Sequence, residues 1–139
     1  MKKYILGILL LVCVGLNTAC TKIEDDEADA FVGTYTISTI ENVTWGGSSG
    51  TITDSGILRI SKLSANRVKV SGYLNTYGNV IGSSIYLDSY TSSDYAGTST
   101  IVFGVGFLNG NVLTFTSTMN GILEGYSFFA TASHTCIKQ

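Results

Sequence analysis

His134 is the only histidine in the chain, and Cys136 follows two residues later. On a strand, two such side chains face the same way. An imidazole and a thiol could share a metal ion, but two ligands make a poor site. A lone histidine supplies neither a multi-His metal site nor a triad with a second base. His134 therefore reads as a strand-end histidine and Cys136 as a plain thiol. Glu124 is the carboxylate of most interest. The register argued below puts it on an apolar inner face opposite Ser117, one step from a turn, where it would need hydrogen bonds or access to water at the rim. No second carboxylate can be set beside it, so paired-acid glycoside chemistry lacks support. No helix follows a Gly-rich loop that could cradle phosphate. The chain does not read as an enzyme, and no cofactor is expected. Tyr73, Tyr86 and Tyr90 fall on the outward face of neighbouring strands, with Tyr77 and Tyr95 in loops. Exposed tyrosines stack on sugar rings and anchor protein contacts, and they are also good strand residues.

The elements that must position these residues are strands. From Phe31 onward apolar and polar residues alternate with period two, and no helical stretch is expected after the first twenty residues. The expected strands are 33–45, 50–54, 56–63, 67–74, 79–90, 98–108, 111–118 and 122–133, the second and third joined as one bent strand if Gly56 only kinks it. Sixteen Gly, eight Tyr and no Pro suit a sheet protein with tight turns. Asn120-Gly121 between two strands is a strong hairpin signal, and it sets Phe115 opposite Tyr126 and Leu113 opposite Phe128. A three-residue loop ending at Gly110 pairs Val105 with Leu113 and Phe103 with Phe115, where a two-residue loop would oppose them to threonines. A four-residue loop over residues 75–78 brings Val70, Gly72 and Leu74 to one face with Ile81, Ser83 and Ile85.

The inner face then holds Tyr35, Ile37, Leu58, Ile60, Val68, Val70, Ile81, Ile85, Leu87, Ile101, Phe103, Val105, Leu113, Phe115, Tyr126 and Phe128. Trp45, closing the first strand, reads best as a core plug and otherwise as a cap or mouth residue. The fold class is all-β, a single antiparallel up-and-down meander of seven to eight strands closed as a barrel. A two-sheet β-sandwich gives the same alternation.

Length and charge bound the reading. The chain has 139 residues, of which 13% are charged and 45% hydrophobic, enough for one domain with a modest core. From Phe31 onward the basic residues Arg59, Lys62, Arg67, Lys69 and Lys138 balance Glu41, Asp54, Asp88, Asp94 and Glu124. A neutral domain offers no electrostatic case for nucleic acid.

The beginning of the chain is different. Lys2 and Lys3 precede an apolar run from Tyr4 to Leu16, too short for a membrane span and suited to a signal peptide over residues 1–19. Leu16-Asn17-Thr18-Ala19-Cys20 resembles the lipobox of bacterial lipoproteins: Thr18 and Ala19 are small, Cys20 would take the lipid, and Asn17 stands where Leu is usual. That resemblance implies membrane attachment through a lipid on Cys20, firm when two or more acyl chains are buried. Cys13 would leave with the leader. Cys136 would then be the one free thiol, with no intramolecular disulfide available. Residues 20–30 follow as an acidic tether. Thr21-Lys22-Ile23-Glu24-Asp25-Asp26-Glu27 resembles the export signal of surface lipoproteins of the Bacteroidota type. It implies an outer-membrane lipoprotein exposed at the cell surface; the alternative is a solvated spacer facing the periplasm.

Phe31-Val32-Gly33-Thr34-Tyr35 resembles the Gly-x-Trp opening of lipocalin-type barrels, with Tyr in place of Trp. With the lipobox and the meander, residues 31–139 resemble small lipocalin-like lipoproteins. The resemblance implies a barrel that binds a small apolar ligand or a partner. Phe103, Phe115, Tyr126 and Phe128 are the candidate ligand contacts, with Glu124 at the rim. The competing expectation is a glycan- or protein-binding module that uses Tyr73, Tyr86 and Tyr90.

Overall fold

In the computed structural model, which describes residues 26–93 and 97–139, ten strands form one continuous sheet and a short helix precedes them. The helix α1 spans Glu27–Phe31. The strands are β1 (Gly33–Trp45), β2 (Ser48–Ser64), β3 (Arg67–Gly72), β4 (Thr76–Ile81) and β5 (Ser84–Leu87), then β6 (Tyr90–Ser93), β7 (Gly97–Phe103), β8 (Gly106–Asn109), β9 (Val112–Leu123) and β10 (Tyr126–Lys138). The order β10-β1-β2-β3-β4-β5-β8-β9, with β9 returning to β10, closes an eight-stranded antiparallel barrel, and β7 and β6 continue from the edge of β9 as two extra strands. This is the expected closed antiparallel barrel, and no two-sheet sandwich; the up-and-down order is interrupted where β5 pairs with β8. The leader, Cys20, the tether through Asp25, Asp94 and Tyr95 lie outside the described residues.

Alternation decides what the barrel encloses. Tyr35, Ile37, Leu58, Ile60, Val68, Val70, Ile85 and Leu113 point inward and are buried, as the period-two pattern predicts. Gly46 and Gly47 both take positive φ between Trp45 and Ser48, which matches a two-residue turn to the twist of the β1–β2 hairpin. Residues 50–63 run through a single strand, β2. Gly56 matters there because the Tyr73 ring lies where its Cβ would be, 2.7 Å from ring carbon Cδ2.

Four expectations are corrected. First, a helix is present: α1 closes one end of the barrel, with Ala28 and Phe31 fully buried and the Ala28 N–H donating to Ala65 O. Lys62 pairs with Asp26 and, at 3.0 Å, with Asp29, so acidic residues assigned to the tether dock on the fold. Second, the β9–β10 turn is Glu124-Gly125, both at positive φ, and Asn120-Gly121 lies inside β9. That choice allows pairing from Val112↔Ile137 to Leu123↔Tyr126, with Phe115 opposite His134 and Leu113 opposite Cys136. A turn at Asn120-Gly121 would leave residues 131–138 without a partner on β9, so ladder length outweighs local turn preference. Gly121 serves packing instead: a Cβ there would meet Thr98 O at 2.1 Å and the Phe128 ring at 2.9 Å.

Third, residues 79–90 are not one strand. Gly82, at positive φ, turns the chain so that Ile81 faces Ser84, and Val70 pairs with Thr76. Val80 is therefore inside, while Ile81 is 63% exposed. Fourth, residues 98–108 break at Gly104, whose N–H donates to Thr116 O. Phe103 then pairs with Ser117 and Leu108 with Leu113, so Val105 loses its place opposite Leu113 and becomes exposed.

Candidate functional site

The two ends of the barrel differ. At the α1 end the turns are short and the Phe31 side chain fills the opening, its carbonyl accepting a 2.7 Å hydrogen bond from the Tyr35 hydroxyl. At the other end β3 stops at Gly72, opposite Leu58, while β2 continues back to Ser48 with β1 alone beside it. Strands β2, β1, β10, β9, β7 and β6 thus make a tall wall that outreaches β3, β4 and β5.

A cavity of about 110 Å³ lies where the wall leaves the packed core. Strand β1 contributes Thr39 and Glu41, and the facing residues of β10 are His134 and Ala132. Strand β9 adds Ser117 and Met119, β10 adds Ala130, and β7 adds Ile101. Tyr73 and Leu74, from the loop after β3, border it on the low side. The space exists because the rung Glu41–Ala132–Ser117 sets only the small Ala132 and Ser117 beside Glu41, whereas two rungs below Ile37–Cys136–Leu113 fills the interior.

His134 forms the floor of this cavity and is 5% exposed. Its Nδ1 is 2.9 Å from Thr39 Oγ1 and its Nε2 2.8 Å from Ser117 Oγ. A neutral ring donates from one nitrogen and accepts at the other, and hydroxyls can complete either arrangement. The ring stacks on Phe115 with centroids 4.5 Å apart. Burial without an acidic partner pushes its pKa down to about 4, so it is uncharged at neutral pH. At the border, burial raises the Tyr73 pKa, a hydrogen bond with Thr39 opposes the rise, and Asp54 and Glu41 add to it. Burial also pushes the Cys136 thiol up to about 12, which keeps it protonated and unreactive. Among the described residues no group of three His, Cys, Asp or Glu side chains could hold a metal.

The structure redistributes the residues singled out from sequence. Phe115 is buried beneath His134, and half-buried Phe103 bridges it to Tyr90, with ring centroids 6.1 and 6.2 Å away. Phe128 lies over Gly121 on the inner face of the wall, and Tyr126, 60% exposed, meets Trp45 edge to face. Glu124 is not on the inner face opposite Ser117: it occupies an exposed turn, and Ser117 faces Ala132. Trp45 is no core plug, being 44% exposed at the tip of β1.

The outward tyrosine face does not form. Gly72, at positive φ, turns Tyr73 back over Gly56, and Tyr90 pairs with Ile101 on the inner side. Tyr86 alone of the three is exposed. Sequence reasoning missed Thr39, Glu41, Ser117 and the burial of His134. The available signal was the alternation Ala130, Ala132, His134, in which two small residues precede an imidazole on one face. Searches of protein families, curated proteins and solved structures return no match to this chain.

Proposed function

We propose that this protein is a lipid-anchored surface lipoprotein whose lipocalin-like barrel binds a small ligand and catalyses no reaction. The single observation that supports binding is the cavity of about 110 Å³ at the unplugged end, with an apolar wall of Met119, Ala130 and Ile101 facing hydroxyls and an imidazole. An enclosed space of about 150 Å³ accommodates benzene, so a single-ring ligand would fill this smaller cavity and project from its open side. A larger ligand would continue upward along Phe128, Tyr126 and Trp45. Phe103 and Phe115 act one layer below, holding His134 in place.

Anchoring rests on Cys20 and the small residues before it. Only residues 21–25 separate Cys20 from Asp26, which is docked at the plugged end. That length spans at most about 20 Å. The plugged end would face the membrane and the open end the surrounding medium, so ligand would arrive from solution. In cells, a Cys20→Ser variant should leave the membrane fraction and lose protease accessibility at the surface. Retention of both would end the lipoprotein reading. Ligand occupancy is tested by extracting protein from its natural host with organic solvent. A small molecule recovered from wild type and absent from an Ala132→Leu variant supports the site, and an empty wild type contradicts it.

A further inference from the structure

Charge is distributed unevenly along the barrel axis. Lys62 and Lys138 hold the α1 end, through Asp26 and Asp29 and through Ala30 O. Arg67 pairs with Asp88 and Asn79, and Arg59 and Lys69 sit on the lower rungs, opposite Ser71 and Ser61. Above the rung of Ile37 and Gly56, the described residues of the tall wall include Glu41, Asp54 and Glu124 but no lysine or arginine. Of these, Glu41 lines the cavity itself, half-buried, on the same face as Thr39. The His134 imidazole, uncharged at neutral pH, offers it no counter-charge. A carboxylate that loses water on ligand entry needs a cation to replace it. Aromatic faces at Phe128, Tyr126 and Trp45 are compatible with the same partner.

We infer that the ligand class of this cavity is an organic amine: a protonated nitrogen paired with Glu41 and hydrogen-bonded to the hydroxyls beside it, and a compact apolar body against Met119, Ala130 and Ile101. This rests on the ligand-binding reading above and adds its charge. The match is reciprocal, since an acid of the same shape would bring two carboxylates together and a neutral isostere would leave Glu41 desolvated and unpaired.

Benzylamine, benzyl alcohol and benzoate are suitable probes because they share one ring and differ in charge. They would be titrated calorimetrically into the full chain held in lipid nanodiscs, with each result compared between variants in the same lipid. Benzylamine should bind at least tenfold more tightly than benzyl alcohol, and benzoate should not bind. Glu41→Gln, nearly isosteric, should remove the amine preference and retain benzyl alcohol binding. Glu124→Gln, on the turn above, should leave all three unchanged. Equal affinity for amine and alcohol, or an amine preference that survives Glu41→Gln, overturns the inference while leaving a binding cavity in place. An equal loss in Glu124→Gln would assign the effect to the general field of the mouth and also overturn it. No heat from any probe, with no molecule recovered from host-purified protein, would overturn both readings.

Discussion

The same three strands build a solid half and a hollow half, and two of their rungs show the difference. Ile37, Cys136 and Leu113 meet on one rung and are at most 1% exposed, with Val70, Val80 and Ile85 filling the rest of that half. Two rungs up, Glu41, Ala132 and Ser117 take the corresponding places and border a cavity. The backbone ladder continues through both. What changes is side-chain volume and polarity, so the wall is a scaffold whose contents are set rung by rung. His134 marks the boundary, packed on Phe115 below and hydrogen-bonded to Thr39 and Ser117 at its sides.

The largest effect should come from opening the solid half. Phe31→Ala removes a fully buried ring from the plug and should cost about 3–5 kcal/mol in urea unfolding. A value below about 1 kcal/mol would mean that α1 contributes little to the barrel. Next comes the boundary. His134 has a folded pKa of about 4 against an unfolded value near 6.5, so the unfolded chain binds the extra proton between those limits. Stability should be flat in its contribution above pH 6.5 and fall by up to about 3 kcal/mol as pH drops to 4. His134→Gln should flatten that part of the curve. The thiol two residues on should resist alkylation in native protein and react only as the chain unfolds, because Cys136 is 0% exposed.

A volume swap sharpens the comparison. Val70→Leu in the solid half should cost about 1–3 kcal/mol by overpacking. Ala132→Leu, beside open space, should cost less than about 1 kcal/mol and abolish ligand binding. Similar penalties at both positions would contradict the division of the barrel. The smallest effect belongs to the tip of the wall: Glu124 holds a φ of 50°, a region that Asn tolerates better, so Glu124→Asn should stabilise by about 0.5–1 kcal/mol.

The solid half was the part legible in the sequence. Tyr35, Ile37, Leu58, Ile60, Val68 and Val70 alternate without interruption, and Gly46-Gly47 punctuates the hairpin between β1 and β2, so local pattern and final fold agree. Where two local signals compete, local pattern does not decide the fold. Asn120-Gly121 carries the strongest turn signal, but Glu124-Gly125 gives β9 and β10 the longer ladder. Gly82-Ser83 was hidden inside an apparently continuous alternation, which exchanged Ile81 for Val80 in the core. The cavity was the least legible because it depends on chain ends meeting. Thr39 and His134 lie 95 residues apart, and only the β1–β10 closure brings them to 2.9 Å. Alternation told which way His134 points along its strand and nothing about the partners across from it.

The most direct test of a barrel solid below and hollow above is native mass spectrometry of the full chain, purified gently from its natural host. Wild type and the Val70→Leu variant should each carry the same added mass, released by organic solvent, while Ala132→Leu should be bare. A bare wild type, or an added mass that persists in Ala132→Leu, would contradict the account.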